Sequence, residues 1–191
     1  KPDHTPTRFI KIKEDGHCLF YAMDYFRQRL ANVHTGVRHW LNRIKGVNEL
    51  RKQLANCYVY LAHQHMDSPY HLFNEDKTPL QFFDHLASDP DTAEDVGFAL
   101  KFTPAGKTDA EWAPIHRMRI IRKFVPAYIA HTKTGRTVNG HPFYGSLNDA
   151  KMMAQLLRID LCIFKYRKPH RTDPRTGALI PTPLPAIEQF K

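Results

Sequence analysis

The stretch KIKEDGHCLFYAMDYF, residues 11–26, sets a cysteine directly behind an Asp-Gly-His turn and directly ahead of a run that reads as a helix. After Cys18, the apolar residues Leu19, Ala22, Met23, Phe26 and Leu30 recur at steps of three and four, the spacing that lines one buried helix face. Cys18 therefore falls in the first turn. Backbone N–H groups there have no intrahelical acceptor and stabilise negative charge, which favours the thiolate, the reactive form of cysteine. Gly16 permits a turn closed to other residues, so N–H groups of Asp15, Gly16, His17 and Cys18 can converge near the sulfur as an oxyanion hole for acyl transfer. Asp15 would hold that turn in shape or polarise its amides. A nucleophile of this kind asks for a general-base histidine from elsewhere in the chain. The competing reading is a small apolar residue at a helix start, the usual fate of free cysteine.

Around this stretch lie 191 residues, enough for one domain with a sizeable core, and the expectation is a single unit over 1–191. Hydrophobic residues at 42% and charged residues at 25% exclude a mostly disordered chain. No window approaches eighteen consecutive apolar residues, which argues against a membrane. The start, Lys1-Pro2-Asp3-His4, lacks an initiator methionine and any signal or transit pattern, so a domain excised from a larger protein is expected. Cys18, Cys57 and Cys162 form no C-x-x-C pair, which argues against a disulfide framework or a structural zinc and fits a reducing, cytoplasmic compartment. The formal charge of +9 would attract nucleic acid or an acidic protein surface at long range.

Along the rest of the chain, Phe9 to Ile12 reads as a short strand. A second helix is predicted from Val47 to His63, with Val47, Leu50, Leu54, Cys57 and Leu61 on one side and Cys57 central to the stripe. Five prolines between Ser68 and Pro114 predict loops and small helices, with an amphipathic piece at Leu80 to Leu86. A third helix is expected over Ile115 to Ile129, then a turn-rich connection at Gly135 to Gly140. In FYGSLNDAKMMAQLLRIDLCIF, residues 143–164, Ser146 reads as an N-cap with Asp149 three residues on. Leu147, Ala150, Met153, Ala154 and Leu157 then form a buried face, and a strand follows from Ile159 to Phe164. The basic, proline-rich tail from Lys165 to Pro185 reads as a hairpin loop or exposed arm.

DGHCLFYAM resembles the signature of the ovarian tumour (OTU) family of cysteine peptidases, in which Asp-Gly-x-Cys is followed by Leu-Phe and, one residue on, commonly by Ala. The matching residues are Asp15, Gly16, Cys18, Leu19, Phe20 and Ala22. Two further segments fall in family order. ELRKQLANCYVYL, residues 49–61, is similar to the family's Leu-Arg-bearing second helix. Residues 143–164 are similar to its aromatic-Gly-Gly, helix and strand unit, with Tyr144 and Gly145 matching and Ser146 replacing the second glycine. The resemblance implies an α/β papain-like peptidase fold of OTU type, a small central β-sheet packed between helices. It also implies a monomeric deubiquitinase that cuts the isopeptide bond after the C-terminal glycine of ubiquitin, polyubiquitin or a ubiquitin-like modifier, without metal or cofactor.

The family's catalytic histidine lies near the C-terminus, on a strand after that unit. Here the one histidine beyond residue 141 is His170, in a charged, turn-rich stretch, and Pro183 to Phe190 resembles the strand before a histidine that does not follow. A permuted order would place the last strand first, which makes His4 the leading candidate base, His170 the second and His141 the third. Asp3, Thr5 or no residue would orient it. His17 fills the variable position of the signature and reads as a solvated turn residue. The expected catalytic set is thus Cys18, His4 and Asp15, acting in a cytoplasm, whether the chain's own or that of a host cell entered as an effector.

Other features favour plain explanations. His63 and His65, two apart on a predicted helix, face different directions, so no metal site is expected. The clusters Arg117 to Lys123 and Lys165 to Arg175, with Tyr166 between the latter's charges, suit phosphate contacts or a solvated face equally. They keep open the alternative of a catalytically silent OTU-like binding module or a basic nucleic-acid-binding adaptor. Cys57 and Cys162 read as packing residues.

Overall fold

The computed structural model describes residues 17–33, 42–68, 70–72, 75–99, 106–157, 161–164, 170–172, 179–181 and 187–190; of residues 30–33, 70–72, 75–76 and those beyond 160 the backbone alone is described. Helix α1 is Cys18–Val33 and α2 is Gly46–Ala62. Helix α3 is Pro79–Ala87 and α4 is Pro90–Asp95, each opening on a proline at its first residue, where a missing N–H costs nothing. Thr78 accepts the Gln81 N–H while the Gln81 side chain accepts the Thr78 N–H, which fixes the start of α3. Thr108 and Glu111 repeat the arrangement ahead of α5, Asp109–Arg119.

Helix α5 runs without a break through a π-helical turn, Ile120–Phe124, into α6, Val125–Thr134. Pro126 explains the wider turn. Its ring would collide with the carbonyl four residues back, at Arg122, and the helix opens there so that the Val125 N–H reaches five residues to the Ile120 carbonyl. Helix α7 is Leu147–Leu157.

The core forms where α2 crosses α6 and meets α1 and α7, while the π turn closes over α3. From α2 come Leu50, Leu54, Tyr58 and Leu61, from α1 Phe20 and Met23, from α3 Phe83 and Leu86, and from the rod Ile120, Phe124 and Tyr128, all buried. Each such side chain contributes about 1.5–3 kcal/mol of transfer free energy. Tyr58 meets the Tyr128 ring edge-on at 5.3 Å, and Phe124 stacks on Tyr128 at 5.6 Å, so aromatic rings bridge the two helices.

The expected α/β architecture does not hold. The described core is built mainly from helices, with Ile44, Phe98 and Phe143 added from loops, and the described part is helical rather than papain-like. Among the described residues the strands make three separate two-stranded antiparallel ladders: β1 (Tyr70–Leu72) with β2 (Glu75–Lys77), β3 (Leu161–Phe164) with β6 (Ile187–Phe190), and β4 (His170–Thr172) with β5 (Leu179–Pro181). Three- and four-residue ladders offer no sheet face wide enough to be packed between helix layers, and the helical stripes satisfy one another instead. The β4–β5 ladder lies inside the tail read as a hairpin or arm. The strand proposed at Phe9 to Ile12 lies outside the described residues.

Two details of the stripes also differ from expectation. Phe26 is 45% exposed, and the face of α1 turns on Phe20, Met23 and Arg27 instead. On α2, Tyr58 holds the centre and Cys57 the half-buried flank, where burial raises the thiol above its ordinary pKa. Pro114, read as a helix breaker, sits inside α5; that helix has no fully buried residue, so room for the proline ring displaces no packed neighbour.

Candidate active site

Helix α1 begins at Cys18, and its first internal bond runs from the Tyr21 N–H to the His17 carbonyl at 2.9 Å. The amides of Cys18, Leu19 and Phe20 therefore lie ahead of the first intrahelical donor, with their dipoles at the end that favours negative charge. The thiol of Cys18 is half-buried. Its place at the helix start agrees with the sequence reading.

His17 is more than a solvated turn residue. Its Nδ1 accepts a hydrogen bond from Nε of Arg51 at 3.1 Å, and its ring meets Tyr21 edge-on at 6.2 Å. A guanidinium can only donate, so Nδ1 carries a lone pair and a neutral His17 bears its proton on Nε2. Held this way, neither ring nitrogen is available as a base.

Arg51 reaches His17 from α2 and is itself buried. Its Nη2 donates to the Phe143 carbonyl at 2.8 Å and its Nη1 to the Thr132 carbonyl at 3.3 Å, while the guanidinium lies 3.8 Å from the centroid of the Phe20 ring. Thr132 belongs to the last turn of α6, whose carbonyl end favours a cation. One side chain thus ties together α1, α2, α6 and the loop ahead of α7. The carbonyl and π contacts compensate a charge that would be costly to bury alone.

Two glycines make room for this junction. Gly135 closes α6 in the left-handed conformation, φ +70°, and a Cβ on it would lie 2.9 Å from both Arg51 Nε and His17 Cε1. Gly145 packs so closely on α1 that a Cβ would lie 2.6 Å from Leu19 Cδ2 and 3.2 Å from Phe20 Cε2. The loop Phe143 to Ser146 is therefore seated on the residues that follow Cys18. Phe143 is buried with its N–H on the Gly135 carbonyl at 2.9 Å, whereas Tyr144 is 59% exposed.

Behind the loop, Asp149 gathers four hydrogen bonds. It accepts from the Tyr58 hydroxyl at 2.5 Å, the Tyr128 hydroxyl at 3.1 Å, the Ser146 N–H at 2.6 Å and the Ser146 hydroxyl at 2.8 Å. Its own N–H donates to Ser146 Oγ at 3.1 Å, so the cap expected at Ser146 is present. Burial, followed by the charge of Asp149, pushes both phenols well above their ordinary pKa.

Of the other candidates, Asp15, Gly16, His4, Asp3 and Thr5 lie outside the described residues. His141 is exposed beside the Arg136–Pro142 bridge, with its N–H on Thr137 Oγ1 at 3.1 Å and its carbonyl accepting the Thr137 N–H at 2.8 Å. His170 opens β4 opposite Pro181. Among the described residues no group of three His, Cys, Asp or Glu side chains could hold a metal, and no helix is long and apolar enough to cross a membrane. Arg51 was absent from the expected site, although a charged residue inside the stripe Leu50, Leu54, Tyr58, Leu61 is itself a sign of a buried partner. No protein-family model, curated protein or solved structure matches the chain.

Proposed function

We propose that this chain is a cysteine hydrolase of the deubiquitinase type, cutting the (iso)peptide bond after the C-terminal glycine of ubiquitin or a related modifier. The observation that carries it is the position of Cys18 as the first residue of α1, directly behind Asp15-Gly16-His17, with the Tyr144-Gly145 loop seated on Leu19. The proposal rests on this local arrangement and on the resemblance of its motifs, not on the overall fold.

In this reading the Cys18 thiolate attacks the glycine carbonyl, and backbone N–H groups of Asp15 to Cys18 receive the oxyanion. His4 takes the thiol proton and delivers a proton to the leaving lysine amine. Water then hydrolyses the thioester, releasing the glycine carboxylate and the free thiol. The bond from Arg51 to His17 Nδ1 supports an external base, since it leaves the adjacent imidazole no acceptor. His170 is the second choice for that base.

A ubiquitin probe ending in an alkylating warhead tests the proposal by mass shift. Wild type forms a one-to-one adduct, Cys18→Ala forms none, and His4→Ala forms it slowly; retention of the normal rate in His4→Ala together with slowing in His170→Ala reassigns the base. Absence of any wild-type adduct overturns the hydrolase reading. Salt-dependent binding to single-stranded RNA or DNA, unchanged in Cys18→Ala, would then establish the basic adaptor that the +9 charge allows.

A further inference from the structure

Three segments far apart in sequence meet at Arg51: the His17 that precedes the thiol, the carbonyl end of α6, and Phe143 at the root of the Tyr144-Gly145 loop. The contacts are directional. Nε–H points at an imidazole nitrogen, Nη1 and Nη2 point at two carbonyls from different elements, and the plane of the group lies over Phe20 at 3.8 Å. Lysine, a point charge without a planar fork, cannot reproduce these directions together. Gly135 at φ +70° leaves the space that the guanidinium and the His17 ring fill, so the local backbone is shaped around this pair.

We propose that Arg51 is a positioning residue for the reacting thiol, holding His17 in its Nε2–H form while its other arm fixes the Phe143 carbonyl and so the loop that Gly145 seats on Leu19. This rests on the cysteine-hydrolase reading above. Arg51 fixes His17 immediately ahead of Cys18 and the loop from Phe143 to Gly145 seated on Leu19, and acts through both without touching the substrate. Misplacing a reacting group by about 1 Å costs on the order of a hundredfold in rate, so loss of the fork falls on the chemical step and not on capture of ubiquitin.

The full chain labelled with nitrogen-15 on histidine reads the first half. Wild-type His17 shows an unprotonated, hydrogen-bonded Nδ1 and a protonated Nε2, and Arg51→Lys shows mixed tautomers. A proton on Nδ1 in wild type overturns the proposal. Rates with the ubiquitin warhead probe at varied concentration read the second half. Arg51→Lys lowers the maximal alkylation rate by roughly ten- to a hundredfold, with the half-saturating probe concentration changed by less than about threefold. A normal maximal rate, or a loss confined to half-saturation, overturns it.

Should Arg51→Lys fail to fold, His17→Ala keeps Arg51 and its two carbonyl bonds and carries the same kinetic comparison, with a normal maximal rate again decisive against the proposal. Where both fold, the double variant loses little more than either single one, because the two side chains act as one unit. A wild type inert to the probe overturns the hydrolase reading and the kinetic half with it, while the nitrogen spectrum still decides whether Arg51 fixes His17.

Discussion

The hydroxyl of Tyr58 lies 2.5 Å from the carboxylate of Asp149, joining α2 to α7 across ninety-one positions of sequence inside a fully buried setting. The carboxylate is shared with Tyr128 and Ser146, so the loop above it is anchored from two helices at once. Tyr58→Phe removes one donor and leaves the others; the expected cost is about 1–3 kcal/mol in urea unfolding. Asp149→Ala removes the carboxylate shared by two buried phenols together with the half of the α7 cap that accepts from Ser146, and its cost exceeds that of Tyr58→Phe. An Asp149→Ala protein as stable as wild type would refute the assignment of this cluster as the anchor.

The same tyrosines set an alkaline limit. Both phenols ionise well above their ordinary value in the folded chain, through burial and then the charge of Asp149. A group whose folded pKa is raised contributes its stability in full below its unfolded pKa, about 10 for tyrosine, and loses it as pH climbs toward the folded value. Stability therefore falls as pH rises beyond about 10, and less steeply in a Tyr58→Phe, Tyr128→Phe double variant. Phenolate absorbance should show two of the eight tyrosines ionising together with loss of helical circular dichroism.

Gly145→Ala puts a methyl group 2.6 Å from Leu19 Cδ2, at a backbone angle that alanine accepts, so its penalty comes from the contact. The loop lifts from α1, and probe alkylation of Cys18 slows. Leu19→Ala in the same chain restores much of the rate by clearing the space. Gly135→Ala has no such remedy, because the left-handed angle persists and the obstructing atoms belong to the hydrogen-bonded pair Arg51 and His17; a loss of about 1–3 kcal/mol is expected on thermal unfolding.

Thr78→Ala removes one half of the capping pair ahead of α3 and should cost about 1 kcal/mol. Serine at this position retains the hydroxyl and most of the stability. Equal losses for the two substitutions in thermal unfolding would show that the cap is idle.

Short-range regularities were legible in the sequence. Steps of three and four placed α1, α2 and α7, and Ser146 with Asp149 announced the start of α7. Long-range partners were not. Nothing in the local pattern of Asp149 says that two tyrosines from other helices converge on it, and Arg51 stands inside an apolar stripe without naming His17. Proline misled in one place, since Pro114 lies inside a helix that buries no residue fully. The central sheet was inferred from the motif resemblance, and the structure puts helix against helix where that sheet was expected. Cys18 at a helix start could be read locally because helix periodicity is local; the contacts that bring Arg51 to His17 from thirty-four positions away could not.

The π turn at Ile120–Phe124 sets a phase between the two helices it joins. One additional residue in a helix rotates everything beyond it by about 100°. That offset lets α6 bury Val125, Tyr128 and Thr132 while α5 turns its surface outward, with Arg117 on Asp67 and Arg119 on the Ala99 carbonyl. Deleting a single exposed residue from the turn, such as Arg122, would leave Pro126 without the wider turn that accommodates its ring and carry both arginines about a quarter-turn from their partners. The irregularity is thus the register mark that keeps one continuous helix facing two different environments.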